Sequence, residues 1–263
     1  MKLLIKMGKN SKKAFSEKID SEKKNKILKD YHNFIIKNKR LILNANKKDI
    51  MNANKKNLSN NLLKRLVLDN DKITDILRSI KKIIKLKDPI NIELEKWKRP
   101  NGLNISKVTV PIGIIAMIYE SRPNVTSDVS SLCFKSGNPV ILRGGSEAYN
   151  SNLILSDLFR KSLKKNDVNK DYVQFIKIKK RNAVDFLLTK MNKYVDVIIP
   201  RGGKGLVKKV QNLSNIPIIG HLEGVCHSYV DRYAEPNIAK KIILNAKMRN
   251  TAICGATETI LIH

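Results

Sequence analysis

One thiol, one arginine-bearing turn and two glycine-rich turns are the residues of this chain whose types and spacing suit covalent chemistry on an anionic substrate. Cys254 stands in Asn250-Thr251-Ala252-Ile253-Cys254-Gly255-Ala256-Thr257-Glu258-Thr259. Its thiolate would be a nucleophile, although a lone cysteine among small residues is also ordinary packing, and nothing in the sequence lowers a thiol pKa of about 8.5. Arg122, in Tyr119-Glu120-Ser121-Arg122-Pro123-Asn124, is permanently charged and planar, suited to carboxylate or phosphate. Pro123 pushes it toward an extended turn, and Asn124 can donate a neutral hydrogen bond to a developing oxyanion. A surface arginine and a helix-capping asparagine explain the same two residues equally well.

The glycine turns are Arg143-Gly144-Gly145-Ser146-Glu147 and Pro200-Arg201-Gly202-Gly203-Lys204-Gly205. Each follows an apolar run and precedes a helix-like stretch. Glycine there lets backbone N–H groups approach an anion at a helix N-terminus, and equally serves any tight strand-to-helix turn. Neither is a GxGxxG or a Walker motif.

The elements that position these turns follow from periodicity. Apolar residues recur at helical spacing at Leu58, Leu62, Leu63 and Leu66, and from Ile73 to Ile84, so residues 1–85 read as helices with a Lys/Asn-rich outer face, Ser59 capping one of them and Asp88-Pro89 closing the region. Asn101-Gly102 marks a hairpin over 97–110. From Val108 the pattern alternates: strands near 112–118, 139–143, 172–178, 195–199, 216–219 and 225–230, and helices near 125–136, 147–164, 182–192 and 204–213. A helix over 236–249 and a strand over 258–262 complete the chain. Alternation at this spacing predicts an α/β fold with a parallel sheet covered on both faces.

The run 111–152, with Tyr119–Asn124 and Ile141–Ala148 at its heart, closely resembles γ-glutamyl phosphate reductase (glutamate-5-semialdehyde dehydrogenase), a family within the aldehyde dehydrogenase superfamily. The resemblance implies an aldehyde-dehydrogenase-like fold whose Rossmann-type sheet binds NADP. The implied divisions are N-terminal helices over 1–96, a hairpin arm over 97–110 that reaches toward a partner subunit, a cofactor domain over 111–230, and the beginning of a catalytic domain over 231–263. A local hairpin on the same subunit reads the arm equally well. By resemblance Arg143 and Glu147 meet the adenosine ribose and its phosphate, with Gly144, Gly145 and Ser146 between them, and Arg201, Gly202, Gly203 and Gly205 form the pyrophosphate-side turn. Ser121 and Arg122 become substrate contacts, Asn124 an oxyanion donor and Cys254 the nucleophile. Gly255 and Val225 stand where the family carries asparagine. His221 lies near the position of a general-base glutamate in hydrolytic relatives, which an acyl-phosphate reductase does not need. The implied reaction is NADPH-dependent reduction of L-glutamyl 5-phosphate to L-glutamate 5-semialdehyde through a Cys254 thioester, in proline biosynthesis. The implied partners are the acyl phosphate, handed on from a glutamate kinase, and further copies of the chain.

The net charge of +29 favours anionic partners. The lysines are nevertheless spread along the whole chain together with Asn and Ile, the pattern of a compositional drift rather than of a polyanion-binding face, and aromatics are sparse, with one Trp, so no base-stacking platform is evident. We therefore expect no specific nucleic-acid partner, with a basic nucleic-acid-binding protein as the alternative. No apolar stretch reaches 18 residues and no signal-peptide pattern follows the N-terminus, so a cytoplasmic, non-membrane protein is expected. Cys133 reads as core, Cys226 and His227 as strand neighbours on opposite faces, and the four histidines suggest no metal site. The chain stops at His263 within an apolar strand. The expectation is a truncated enzyme, poorly soluble or inactive alone, or an inactive remnant.

Overall fold

The computed structural model describes residues 1–220, 224–251 and 253–263; His221 and its reading as a base position therefore lie outside the described residues. Five helices come first: α1 Lys2–Phe15, α2 Ser21–Lys37, α3 Lys39–Lys55, α4 Asn60–Leu66 and α5 Asn70–Lys85. Their apolar stripes are what buries them. In α5 the spacing Ile73, Ile76, Ile80, Ile83 turns one face inward, and Asp69 caps the first turn by accepting from Lys72 N at 2.8 Å. Each such isoleucine contributes about 1.5–3 kcal/mol of burial. Ser59 does precede α4, but its side chain makes no capping bond. Two lysines depart from the solvated face expected of them. Lys24 is 1% exposed and pairs with Asp88 at 2.9 Å, and buried Lys135 donates to Asn25 at 2.7 Å.

The hairpin follows as β1 Glu93–Lys98 and β2 Asn104–Val108, antiparallel, with Gly102 at φ +87° in its turn. Every residue of β1 is exposed. The sheet then begins with β3 Ile115–Tyr119, α6 Asn124–Lys135, β4 Val140–Gly144, α7 Tyr149–Lys165 and β5 Val173–Phe175. It continues through α8 Asn182–Lys190, β6 Val197–Arg201 and α9 Lys204–Leu213. The strand order is β5-β4-β3-β6, all parallel. Side chains alternate between two cores, as the pleat requires. Ile115, Met117, Tyr119, Val140 and Leu142 face α2, α5, α6 and α7; Ala116, Ile118, Ile141 and Ile198 face α1, α8 and α9.

The segment expected as a strand over 216–219 contributes only one bridge, Ile198 to Ile218. Nor does the strand expected over 225–230 join this sheet: β7 Cys226–Val230 pairs in parallel with β8 Thr257–Ile262, with α10 Pro236–Met248 crossing between them. Both strands are short, so hydropathy alone did not say which sheet would take them. No residue of α10 is buried, and Ile238, Ile242 and Met248 are exposed. Among the described residues no helix is long and apolar enough to cross a membrane.

Candidate active site

Register places the chemistry. Tyr119, the last residue of β3, sits beside Gly144 of β4 on one side and Arg201 of β6 on the other, so all three turns open at one carboxyl edge. The chain steps from β3 outward to β4 and β5, then returns to the far side of β3 for β6. Outside the strand ends at such a reversal a crevice opens, and open α/β sheets bind ligands there.

The crevice rests on a buried polar floor. The Tyr119 hydroxyl donates to Thr126 Oγ1 at 2.6 Å, and Thr126 donates to Asn152 Oδ1 at 2.9 Å, joining β3, α6 and α7. Complete burial pushes the Tyr119 phenol well above its ordinary value, so it stays protonated. Above this floor Glu147 accepts from both Ser121 N (2.9 Å) and Ser121 Oγ (2.6 Å), locking the turn after β3 to the turn after β4. Glu120 makes the matching link to the third turn, its Oε2 accepting from Gly203 N at 2.9 Å. The two carboxylates thus fix the mutual position of the turns, a role the sequence did not reveal for Glu120.

Close approach explains three of the glycines. A Cβ on Gly144 would strike Asn152 and the Tyr119 ring, one on Gly145 would strike Glu147, and one on Gly202 would lie 2.7 Å from both the Glu120 carboxyl carbon and Leu206. Gly205 faces open space. Ser146 is exposed at the start of a single 3-10 turn. Arg143 is 8% exposed, and its guanidinium donates to the carbonyls of Gly144 and Lys179, with Nε buried and unpartnered.

Cys254 and Arg122 line one cleft. A cleft of about 480 Å³ is lined by Glu120, Ser121, Arg122, Arg201, Gly202, Gly203, Ile253 and Cys254, and by Arg65, which reaches it from α4. Arg65 escaped the sequence reading because it sits among lysines on a short helix, with no local pattern to single it out. Burial, and then the neighbouring guanidiniums of Arg65 and Arg201, hold Arg122 below the ordinary arginine range. Cys254 itself is exposed. Its carbonyl accepts from Cys226 Sγ at 3.3 Å, and a Cβ on Gly224 would collide with that same oxygen. A Cβ on Gly255 would meet nothing within 4 Å.

Asn124, expected as an oxyanion donor, does not line this cleft. It opens α6, and its amide donates to Asp128, one turn later, at 3.2 Å, within a separate depression shared with Lys72 and Ser79. The i, i+4 asparagine–aspartate pairing holds its amide along its own helix.

Cys133 is core, as read from its apolar helix face, and burial pushes its thiol up from 9.0 to about 12. Between pH 9 and 12 the unfolded chain has lost this proton while the folded chain keeps it, so stability falls as pH rises through that window, by up to roughly 1.4 kcal/mol per unit. Cys133→Ala removes the term. The stability gap between wild type and variant, measured by denaturant unfolding, is expected to narrow from pH 8 to pH 11; a constant gap refutes the assignment.

No family model matches the chain. Over 201 residues the chain is 45% identical to a γ-glutamyl phosphate reductase from Caulobacter sp. strain K31, an alignment covering 76% of this chain and 48% of the relative. The chain therefore spans about half the length of the curated relatives it matches. The crystal structure of γ-glutamyl phosphate reductase from Thermotoga maritima superposes with a TM-score of 0.93 at 35% identity, over 99% of this chain and 63% of that one. A probable aldehyde dehydrogenase from Listeria monocytogenes shares the fold at 18% identity and a TM-score of 0.62, over 97% of this chain and 53% of its own. Sequence and fold agree with the turns, the register and the cysteine segment already described: the chain belongs to the γ-glutamyl phosphate reductase family and has the aldehyde-dehydrogenase-like fold.

Proposed function

We propose that the protein reduces L-glutamyl 5-phosphate to L-glutamate 5-semialdehyde with release of phosphate, through a thioester on Cys254. The observation that carries this is the convergence of an exposed thiol with Arg122 and Arg201 in one crevice at the reversal point of the sheet. A thiolate attacking the acyl carbon forms the C–S bond, and the C–O bond to phosphate breaks with both electrons leaving on the phosphate. The arginines oppose the charge that gathers on the departing group. Ser121, fixed by Glu147, presents the turn that carries Arg122.

NADPH fits the remaining residues. Gly202 and Gly203 allow backbone approach at the α9 N-terminus, and the unpartnered Nε of Arg143 leaves a donor at the edge of β4 beside Gly144, Gly145, Ser146 and Glu147. Gly202, Gly203 and Gly205 would hold the pyrophosphate side, while Arg201, expected there by resemblance, faces the Cys254 cleft and is assigned to the departing phosphate. When bound, the cofactor supplies hydride to the thioester. Arg143 favours NADPH over NADH, because a guanidinium suits a 2′-phosphate. The hairpin β1–β2, exposed along β1, is the part we assign to contact with a further copy of the chain. A glutamate kinase would supply the acyl phosphate, and the setting would be cytoplasmic.

The reverse direction tests the reading. Glutamate 5-semialdehyde should drive NADP reduction only in the presence of inorganic phosphate or arsenate. Phosphate-independent reduction would instead indicate a hydrolytic aldehyde dehydrogenase and overturn it.

A further inference from the structure

Three guanidiniums face the thiol's cleft, and their company is the unexplained feature. Arg65 from α4, Arg122 from the turn after β3 and Arg201 at the end of β6 line the same space. Among the described residues none of the three is ion-paired to a carboxylate. Glu120, the acid in the cleft, has an oxygen committed to Gly203 N. Like charges gathered this way repel, and Arg122 registers the repulsion of both neighbours. Such a cluster is stable only with a shared anion or with water screening it.

We propose that Arg65 is a substrate-binding residue that completes, with Arg122 and Arg201, a cradle for the phosphoryl group of the acyl phosphate beside Cys254. This rests on the reductase reading and adds to it a residue from the N-terminal helices. A cleft of about 480 Å³ has room for a small dianion beside the Gly202–Gly203 turn. Guanidinium forks match phosphoryl oxygens in pairs, so three forks from three different elements can hold three oxygens while the acyl carbon projects toward the thiol. Arg65 also ties the fold to the chemistry: its helix ends at Leu66, which is fully buried, so the guanidinium is carried by an anchored backbone.

The test reads anion binding without needing turnover. Cys254 alkylation, followed by peptide mass, is measured with neutral iodoacetamide at rising inorganic phosphate. In wild type, phosphate should protect the thiol at millimolar concentration. In Arg65→Gln the concentration for half-protection should rise about ten- to a hundredfold, as expected for loss of a charged hydrogen-bonding partner. Arg65→Lys, which keeps charge without the fork, should fall between. Arg78→Gln, an equal loss of charge on the exposed face of α5, controls for the general field of a +29 chain and should match wild type. Unchanged protection in Arg65→Gln, or an equal loss in Arg78→Gln, overturns the cradle. If protection behaves as stated while semialdehyde oxidation ignores phosphate, the cradle stands and the reductase reading falls.

Discussion

Cys254→Ala is expected to lower turnover of the acyl phosphate by on the order of 10³-fold or more, with phosphate release and NADPH oxidation falling together. No other thiol in the chain can replace it. Cys133 is buried with its proton held to about pH 12, and Cys226 spends its S–H on the carbonyl of Cys254 itself. Together with Gly224, that contact fixes the backbone from which Cys254 projects. In the absence of cofactor, wild type mixed with acyl phosphate and quenched in acid should carry a γ-glutamyl mass increment on the Cys254 peptide. The alanine variant should carry none. A variant that still gains the adduct on another residue, or retains more than a few per cent of turnover, would remove the thioester from the reaction.

The placement of Cys254 owes more to topology than to its own segment. Small residues around a cysteine carry little signal, yet β7 and β8 pair side by side and bring Cys226 beneath residue 254. Adjacent strands separated by a helix are legible as a βαβ unit; which sheet receives them is not, since both candidates are apolar and parallel. The four-stranded sheet was readable because β3, β4 and β6 are short apolar runs ending at polar or Gly-containing turns, and the five N-terminal helices because isoleucine and leucine recur at helical spacing. What sequence could not give were contacts between distant turns. Glu147 on Ser121 and Glu120 on Gly203 are separated by 26 and 83 residues. Asn124 shows the opposite case. Its partner Asp128 is visible four residues away, and the structure shows this local pairing, whereas the oxyanion contact came from resemblance alone.

The outer-face reading of the Lys/Asn-rich helices fails most informatively in α3. Its buried stripe is Ile42, Asn46, Asp49 and Ala53, a helical repeat whose middle two members are polar. Asp49, 1% exposed, accepts from Asn150 N at 3.0 Å, Asn150 Nδ2 at 2.7 Å, Ser151 N at 2.8 Å and Ser151 Oγ at 2.7 Å. It therefore caps the first turn of α7 from another helix and satisfies N–H groups that helix cannot satisfy itself. Asp49→Ala leaves these donors buried and unpaired, and should destabilise the protein by roughly 3–5 kcal/mol. At this chain size that corresponds to a melting point lower by about 10 °C. Asp49→Asn, the same shape with one acceptor oxygen instead of two, should lose about half as much. Asp71→Ala in the first turn of α5, where the residue is exposed, should stay within about 0.5 kcal/mol. Thermal unfolding of the three variants decides the matter, and an Asp49→Ala protein as stable as the Asp71 control would show that the network is not what holds α3 to α7. The consequence reaches the active site. Asn150 lies three residues beyond Glu147, so a loosened α7 N-terminus slackens the Glu147–Ser121 lock that positions Arg122. Asp49→Ala should therefore raise the phosphate concentration that protects Cys254 well below its own melting temperature, whereas Asp71→Ala should not.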